Sequence, residues 1–462
     1  MNESLHGFAE KYADLISFNQ PGQKLYFIGG VVRDLCIGRA HNDIDLLVQG
    51  DTRDIARKFA NHLNGAFFML DEERNTARVV VNNEAGHLIF DFAKLQGETI
   101  EADLCLRDFT INAMAIDFDQ LDTIIDPLGG QQDLKEKRLR ICSPTSFSRD
   151  PVRVIRAVRY SIACNVKIEP ETLVLLKESI SGLKNVSWER KRDELFKILD
   201  TPKPALGLEL LSRLGVLAEM FGQPYPALHC HFDQVAALQH LFEMIDGRNS
   251  GEANKDLFEA SCNLRLGRFY PSLAEHYFPK NQSERNIKQI CLLSSCLGGL
   301  TQGDQSKILS VLLLSREEGS RISTLNNENG RLVKTLAAKE ILGREKYLYF
   351  KEIGAIGLDL IFLDLASKLA APASELHQDM WLEHLQKCEV LIAAWYQEQA
   401  LVNPVLFLNG KDLMMEFDLT PGPKIGLLLE KMREEQAAGK INSRQDAMDW
   451  VEQQLPNLEF QE

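Results

Sequence analysis

Asp43 and Asp45, two residues apart in DIDLLV, have types and spacing that suit chemistry. On a strand such positions project to the same side, so both carboxylates share one face. Like charges placed so closely repel unless a cation lies between them, and paired hard oxygens suit Mg2+. Upstream, the apolar run LYFI breaks at Gly29-Gly30, and a helical pattern starts near Val31 with Arg33 in its first turn. Glycine lets the backbone approach a phosphate, and a helix start offers free N–H groups to its oxygens. Taken singly, Gly-Gly is a turn, the paired aspartates are a solvated strand edge, and Arg33-Asp34 is a surface pair. Joined in one strand–turn–helix–strand unit, they favour a nucleotidyl-transfer site.

The elements that must position these residues alternate over residues 1 to about 140. LYFIGG, DIDLLVQ, AFFML, ARVVVNN, HLIFDFAKL and INAMAIDF read as strands, although INAMAIDF begins equally well as a helix. VVRDLCIG and TRDIARKFANHLNG read as helices, the second closed by Gly65. This order predicts an α/β head. After about residue 147 the strand signal nearly vanishes, and amphipathic helices follow, with breaks near FGQPYP (221–226) and PVLFLNGKDL (404–413).

With 462 residues, 45% of them hydrophobic, the chain can build several packed units. A net charge of -14 excludes a uniformly basic coat but not a local basic face for nucleic acid. The nine cysteines are scattered without a CxxC pair, as in a protein kept reduced in the cytosol. The first residues lack a secretory pattern, and no apolar run approaches the roughly 20 residues of a membrane span, so a soluble cytoplasmic protein is expected.

GGVVRDLCIGRAHNDIDLLV resembles the signature of the class II tRNA nucleotidyltransferase and bacterial poly(A) polymerase family, within the polymerase-β-like superfamily. The resemblance implies an α/β head with a mixed sheet, followed by an all-α neck, body and tail. It also implies that Asp43 and Asp45 hold Mg2+, that Asp91 in FDFA is a third catalytic carboxylate, and that Gly29, Gly30 and Arg33 position the triphosphate. RDFTINAMA (107–115) resembles the family's second motif, giving Arg107 to the triphosphate and Asp108 and Asn112 to the ribose. Leu106 stands where the family commonly has a further arginine.

IDPLGGQQDL (125–134) resembles a structural turn of the family, in which Asp126 and Asp133 cap backbone groups. SFSRDPVRVIRAVRY (146–160) resembles its base-reading motif, in which Asp150 and Arg153 pair with the incoming base. Arg149 replaces the usual glutamate, and Arg156 and Arg159 join the nucleotide-contact candidates. Helical spacing puts Arg149, Arg153, Arg156 and Tyr160 on one face, and Asp150 before Pro151 has the pattern of an N-cap. SWERKRDELFKIL (187–199) resembles the following family element, where Glu189, Arg190 and Glu194 brace the helices.

From 229 to about 330 the chain resembles an HD-like helical region, but Ser294-Ser295 occupies the place of the His-Asp pair. A degenerate, structural domain without phosphohydrolase activity is expected, with His229, His231 and His240 as candidate metal ligands. The expected divisions are a catalytic head (1–146), a base-recognising neck (147–222), a body (223–400) and an RNA-binding tail (401–462). Partners implied are CTP and/or ATP and the 3′ end of tRNA or another RNA. About sixteen residues separate Asp91 from Arg107, where full CCA-adding relatives have a longer flexible segment, so addition of CC is favoured over the whole CCA. Poly(A) synthesis is the alternative, weighed against by the acidic ending PNLEFQE. An inactive RNA-binding scaffold is the third reading, opposed by the retained carboxylates.

Overall fold

The computed structural model describes residues 5–18, 23–39, 43–83, 86–222, 231–247, 257–279, 285–371 and 377–458. Two compact units divide the chain: Met1–Pro202 with Leu210–Gln223, and Lys203–Glu209 with Pro224–Glu462. The first unit therefore packs the expected head and neck together. The expected break at 221–226 falls mostly outside the described residues.

The first unit is built on seven strands: β1 (Lys24–Ile28), β2 (Asp43–Gln49), β3 (Ala66–Asp71), β4 (Thr76–Asn83), β5 (Gly86–Lys94), β6 (Ala115–Asp117) and β7 (Ile124–Ile125). They lie in the order β3-β4-β5-β2-β1-β6-β7. Only β2 and β5 pair in parallel, with Asp45 opposite Asp91, so the sheet is mixed. The residues 110–112 form a 3-10 turn before β6, which resolves the ambiguity of INAMAIDF.

Period-two alternation sorts the side chains. Ile44, Leu46 and Val48 of β2 and Phe90 and Phe92 of β5 face one way, onto α2 (Gly30–Cys36) and α3 (Thr52–His62) with the N-terminal helix α1 (Leu5–Lys11). On the opposite face Leu47 packs under α4 (Ile100–Cys105) with Tyr26, Ile28 and Leu104, while Asp43 and Asp45 stay open to solvent. Helix α3 starts at Asp51, whose carboxylate accepts the Arg53 N–H at 2.9 Å. It closes as expected at Gly65: Asn64 takes the left-handed conformation (φ 50°), and the Gly65 N–H returns to the Ala60 carbonyl at 2.8 Å, while a Cβ on Gly65 would lie 2.9 Å from the Val80 carbonyl oxygen. Gly65 is thus both part of the helix's closing turn and a close approach to β4.

Four further helices complete the part of this unit that faces the site: α5 (Gly130–Lys135), α6 (Ser146–Arg149), α7 (Arg153–Ala163) and, after α8 (Pro170–Ser179), α9 (Trp188–Leu199). Asp126 accepts the N–H groups of Gly130 and Gln131 at 2.7 and 2.9 Å, and fully buried Asp133 takes the Thr110 hydroxyl at 2.6 Å and Arg138 at 2.7 Å.

The second unit is helical throughout its described residues. The helices Phe232–Ile245, Ile287–Leu297 and Ile356–Leu369 pack on one another, and Gly410–Glu416, Pro423–Ala437 and Arg444–Leu458 share a separate apolar cluster around Leu413, Leu428 and Val451. Asn409 caps the first of those three through a reciprocal pair with Asp412. No helix among the described residues is long and apolar enough to cross a membrane.

Candidate active site

Gly29 is the pivot. It holds φ at +69°, a conformation that side-chain-bearing residues rarely adopt, and a Cβ there would come within 3.5 Å of both Arg107 Nη1 and Asp45 Oδ2. The turn therefore gathers three of the expected site residues, and Gly30 follows as the first residue of α2. Asp43 and Asp45 project from the same face of β2, as their spacing requires. Protein crowding raises the Asp45 carboxyl above the ordinary carboxylate range even though it still meets solvent. Loss of hydration is the largest cause; Arg107 pulls the value down, while Asp91 and Asp43 push it up.

Asp91 lies in mid-strand on β5, not at a strand end. It stands beside Asp45 in register, but both of its oxygens are taken by Arg78 of β4, at 2.7 and 2.8 Å. Among the described residues, Asp43, Asp45 and Asp91 do not close into a three-ligand cluster.

Behind this open floor sits a chain of satisfied charges. Arg33 bonds Asp34 at 2.9 Å and the Asn112 side-chain oxygen at 2.8 Å. Asn112 in turn donates to Asp108 at 3.1 Å. Buried Asp108 also accepts the Phe109 N–H at 2.8 Å and two bonds from Arg156, at 2.8 and 2.5 Å. Burial alone would raise its carboxyl; the Arg156 charge and these hydrogen bonds outweigh it and hold it below the ordinary range.

Arg156 and Arg159 then meet buried Glu194 of α9 at 3.3 and 2.7 Å, and Glu194 is likewise lowered against the opposing effect of burial. Arg33, Arg156 and Arg159 all lie over the Tyr160 ring, at 5.3, 5.4 and 4.1 Å from its centroid.

The base-reading segment departs from the helical face expected of it. Arg149 ends α6, Asp150 is extended (φ -148°, ψ 93°), and α7 begins only at Arg153, so Arg149 does not share a face with Arg153 and Arg156. Asp150 is not a side-chain N-cap. One carboxylate oxygen takes Arg190 of α9 at 2.7 Å, and the other is buried with no hydrogen-bond partner. Arg153 is fixed by the carbonyls of Leu106 and Arg107, both at 3.1 Å, and by the Ser146 hydroxyl at 2.7 Å. Arg107 bonds Asp103 at 3.4 Å, and its buried Nε has no partner.

Sequence reasoning missed Arg78, whereas Arg190 and Glu194 brace α7 and the segment before it from α9, as expected of them. The only available hint for Arg78 was a basic residue in ARVVVNN, the strand-like run that comes just before HLIFDFAKL in the sequence. In the second unit, His229 lies outside the described residues, His231 pairs with Gln234 at 3.2 Å, and His240 lies 3.9 Å from Glu243. These histidines do not assemble a metal cluster among the described residues. One such cluster joins Asp364, His384 and Cys388 instead.

A mixed sheet that presents paired carboxylates beside a Gly-Gly turn is the arrangement expected of a nucleotidyltransferase head. Residues 25–140 match the family described as the poly A polymerase head domain, and residues 165–230 match "Probable RNA and SrmB- binding site of polymerase A". The chain is 31% identical to the CC-adding tRNA nucleotidyltransferase of Geobacter sulfurreducens, over 92% of this chain and 91% of that one. Identity to the A-adding tRNA nucleotidyltransferase of Deinococcus radiodurans is 29%, over 94% and 95%. The structure of the Thermotoga maritima CCA-adding enzyme complexed with tRNA shares the fold, with a TM-score of 0.61 at 24% identity over 96% of this chain and 95% of that one. The chain belongs to the tRNA nucleotidyltransferase family.

Proposed function

We propose that this protein adds the CC portion of the tRNA 3′-terminal CCA, taking CTP as nucleotide and working in the cytoplasm. The observation that carries nucleotidyl transfer is the open pair Asp43 and Asp45, held beside Gly29 and Arg107 by the sheet register. Two same-face carboxylates without an ion-pair partner among the described residues, one with its acidity weakened chiefly by loss of hydration, are a donor set of hard oxygens that fits Mg2+. When bound there, Mg2+ would supply charge neutralisation at the triphosphate and a lower pKa for the attacking RNA hydroxyl.

The chain's own residues do the rest. Gly29 and Gly30 leave room for phosphate oxygens, and Arg107 and Arg33 supply the guanidinium charge. Asn112 takes the ribose; Asp108, expected to share that contact, is buried and bonded to Arg156 and Asn112, and acts by fixing the orientation of Asn112. Asp150 and Arg153 read the base edge, since Asp150 keeps one unpartnered oxygen and Arg153 is held rigid by two carbonyls. The four-part division into head, neck, body and tail is retained as a functional division, with the tail holding RNA.

Two facts support CC over full CCA addition. The whole-length relative at 31% identity bears the name CC-adding. The segment between Asp91 and Arg107 is also short and folded: it leaves β5 at Lys94 and enters α4, whose Thr99 cap accepts the Ala102 N–H at 3.3 Å. Asp103 ties it back to the Gln96 N–H at 3.0 Å.

The test is incubation with Mg2+ and tRNA transcripts ending before C, after CC, and in CCA, with CTP and ATP separately and together. A stop after two C residues supports the proposal. Completion to CCA overturns the CC assignment, and long adenosine tracts would move the enzyme to poly(A) synthesis.

A further inference from the structure

The second unit holds a donor set that nucleotidyl transfer does not use. His384 and Cys388 are four residues apart on the helix Gln378–Gln397 and so share one face. Asp364, on the helix Ile356–Leu369, faces them. Its Oδ2 is 2.5 Å from His384 Nε2, and one ligand atom from each of the three residues lies within 4.8 Å of the other two. Tetrahedral bonds of about 2.0–2.3 Å place donor atoms roughly 3.3–3.7 Å apart, so small side-chain rotations convert this cluster into a coordination sphere.

The chemistry selects among ions. Thiolate, imidazole and carboxylate together suit a borderline-soft ion, whereas Mg2+ and Ca2+ take oxygens alone. Charge agrees: a thiolate and a carboxylate offset a divalent cation, giving a neutral group that a buried position tolerates. Cys388 is fully buried, and burial, then Asp364 and Cys262, hold its thiol well above the ordinary range, so without an ion it stays protonated.

A second observation concerns access. Asp364 is also part of the wall of a polar cavity of about 220 Å3 lined by His231, Ser294, Ser295 and Asn326. Ser295 Oγ is buried and has no hydrogen-bond partner, which is the state of a group awaiting a solvent or ligand contact. The cavity reaches the cluster at Asp364, the one of the three residues that lines it.

We propose that Asp364, His384 and Cys388 bind one zinc-class transition-metal ion, with the fourth coordination position filled by solvent from the adjoining cavity. On binding, the Cys388 thiol proton leaves to solvent. The His384 Nε2 proton moves to Nδ1, and three bonds to the ion replace the Asp364–His384 hydrogen bond.

Cobalt titration of the metal-stripped full-length protein tests this. One equivalent of Co2+ should give the near-ultraviolet thiolate-to-cobalt band and tetrahedral visible bands, both lost on adding one equivalent of Zn2+. Cys388→Ser should abolish the near-ultraviolet band, and His384→Gln should weaken Co2+ binding by at least about tenfold. A variant carrying Asp43→Asn and Asp45→Asn should titrate as wild type, which separates this site from the head. Absence of the band in wild type, or its survival in folded Cys388→Ser, overturns the proposal. Should Cys388→Ser not fold, His384→Gln decides, and unchanged Co2+ affinity there would overturn the site.

Discussion

Two charge-dense regions of the first unit lie side by side and are built in opposite ways. On the open sheet face, Asp43 and Asp45 meet solvent, lack compensating partners at short range, and Asp45 is raised above the ordinary carboxylate range. Around Tyr160, Asp108 and Glu194 are buried, each takes two arginine bonds or more from Arg156 and Arg159, and both are lowered. The difference separates two uses of charge. Carboxylates left unpaired await a ligand; carboxylates fully paired hold side chains in place.

The largest expected effect breaks the first half of that contrast. Asp43→Ala or Asp45→Ala should lower Mg2+-dependent transfer by more than about 10^3-fold, beyond the roughly 10^2–10^3 of losing one electrostatic donor. A carboxyl raised on folding opposes folding above its pKa, so Asp45→Asn should melt no lower than wild type at neutral pH. Substantial turnover in the alanine variants would remove the site assignment. The same contrast shows in acid. Asp45 must ionise to take Mg2+, so the raised carboxyl of the metal-free site should make Mg2+ affinity, and transfer at limiting Mg2+, fall with acid before an ordinary Asp would protonate. Asp108 and Glu194 are depressed, so their contribution to stability persists until the pH falls through their lower folded values. Transfer rate and circular dichroism, followed together against pH, should show inactivation before unfolding; coincident curves would contradict the contrast.

Next in size is Asp108→Ala. It leaves Arg156 with Glu194 and Tyr160 alone and should destabilise the unit by about 1.5–3 kcal/mol, read by denaturant unfolding. A loss under about 1 kcal/mol would mean that the network is not a brace. Arg153→Ala should cut discrimination between CTP and other nucleotides by about 10- to 100-fold while leaving tRNA affinity nearly unchanged. Unaltered nucleotide preference would end its base-reading role. The smallest effect belongs to Arg78→Ala. That partly exposed pair is worth about 0–1 kcal/mol, so the melting point should barely move. Any change should appear in the Mg2+ concentration for half-maximal rate, because Asp91 is freed beside Asp45, and an unchanged Mg2+ dependence would make Asp91 a structural residue.

Much of this was legible from local pattern. The Gly-Gly break, the alternation of DIDLLV and the loss of strand signal after about 147 are short-range signals, and they appear as the turn at Gly29, the open face of β2 and the helical remainder. What stayed hidden depends on contacts distant in sequence. Arg78 meets Asp91 only through the β4–β5 register, and Glu194 meets Arg156 and Arg159 only once α9 packs on α7. Asp150 misled because Asp-Pro usually opens a helix, whereas here Arg190 draws its carboxylate away and the helix starts three residues later. His384 and Cys388 form a recognisable pair only when Asp364 supplies the third donor from another helix.

The parallel pairing of β2 with β5 also sets a rule of parity for this family of sites. Because β5 alternates, deleting one residue between Gly86 and Phe90 would turn Asp91 into the core and push Phe90 and Phe92 onto the solvent face. Length variation among relatives should therefore be purged within β5, so that the ungapped stretch of an alignment would trace the catalytic face without any knowledge of the catalytic residues.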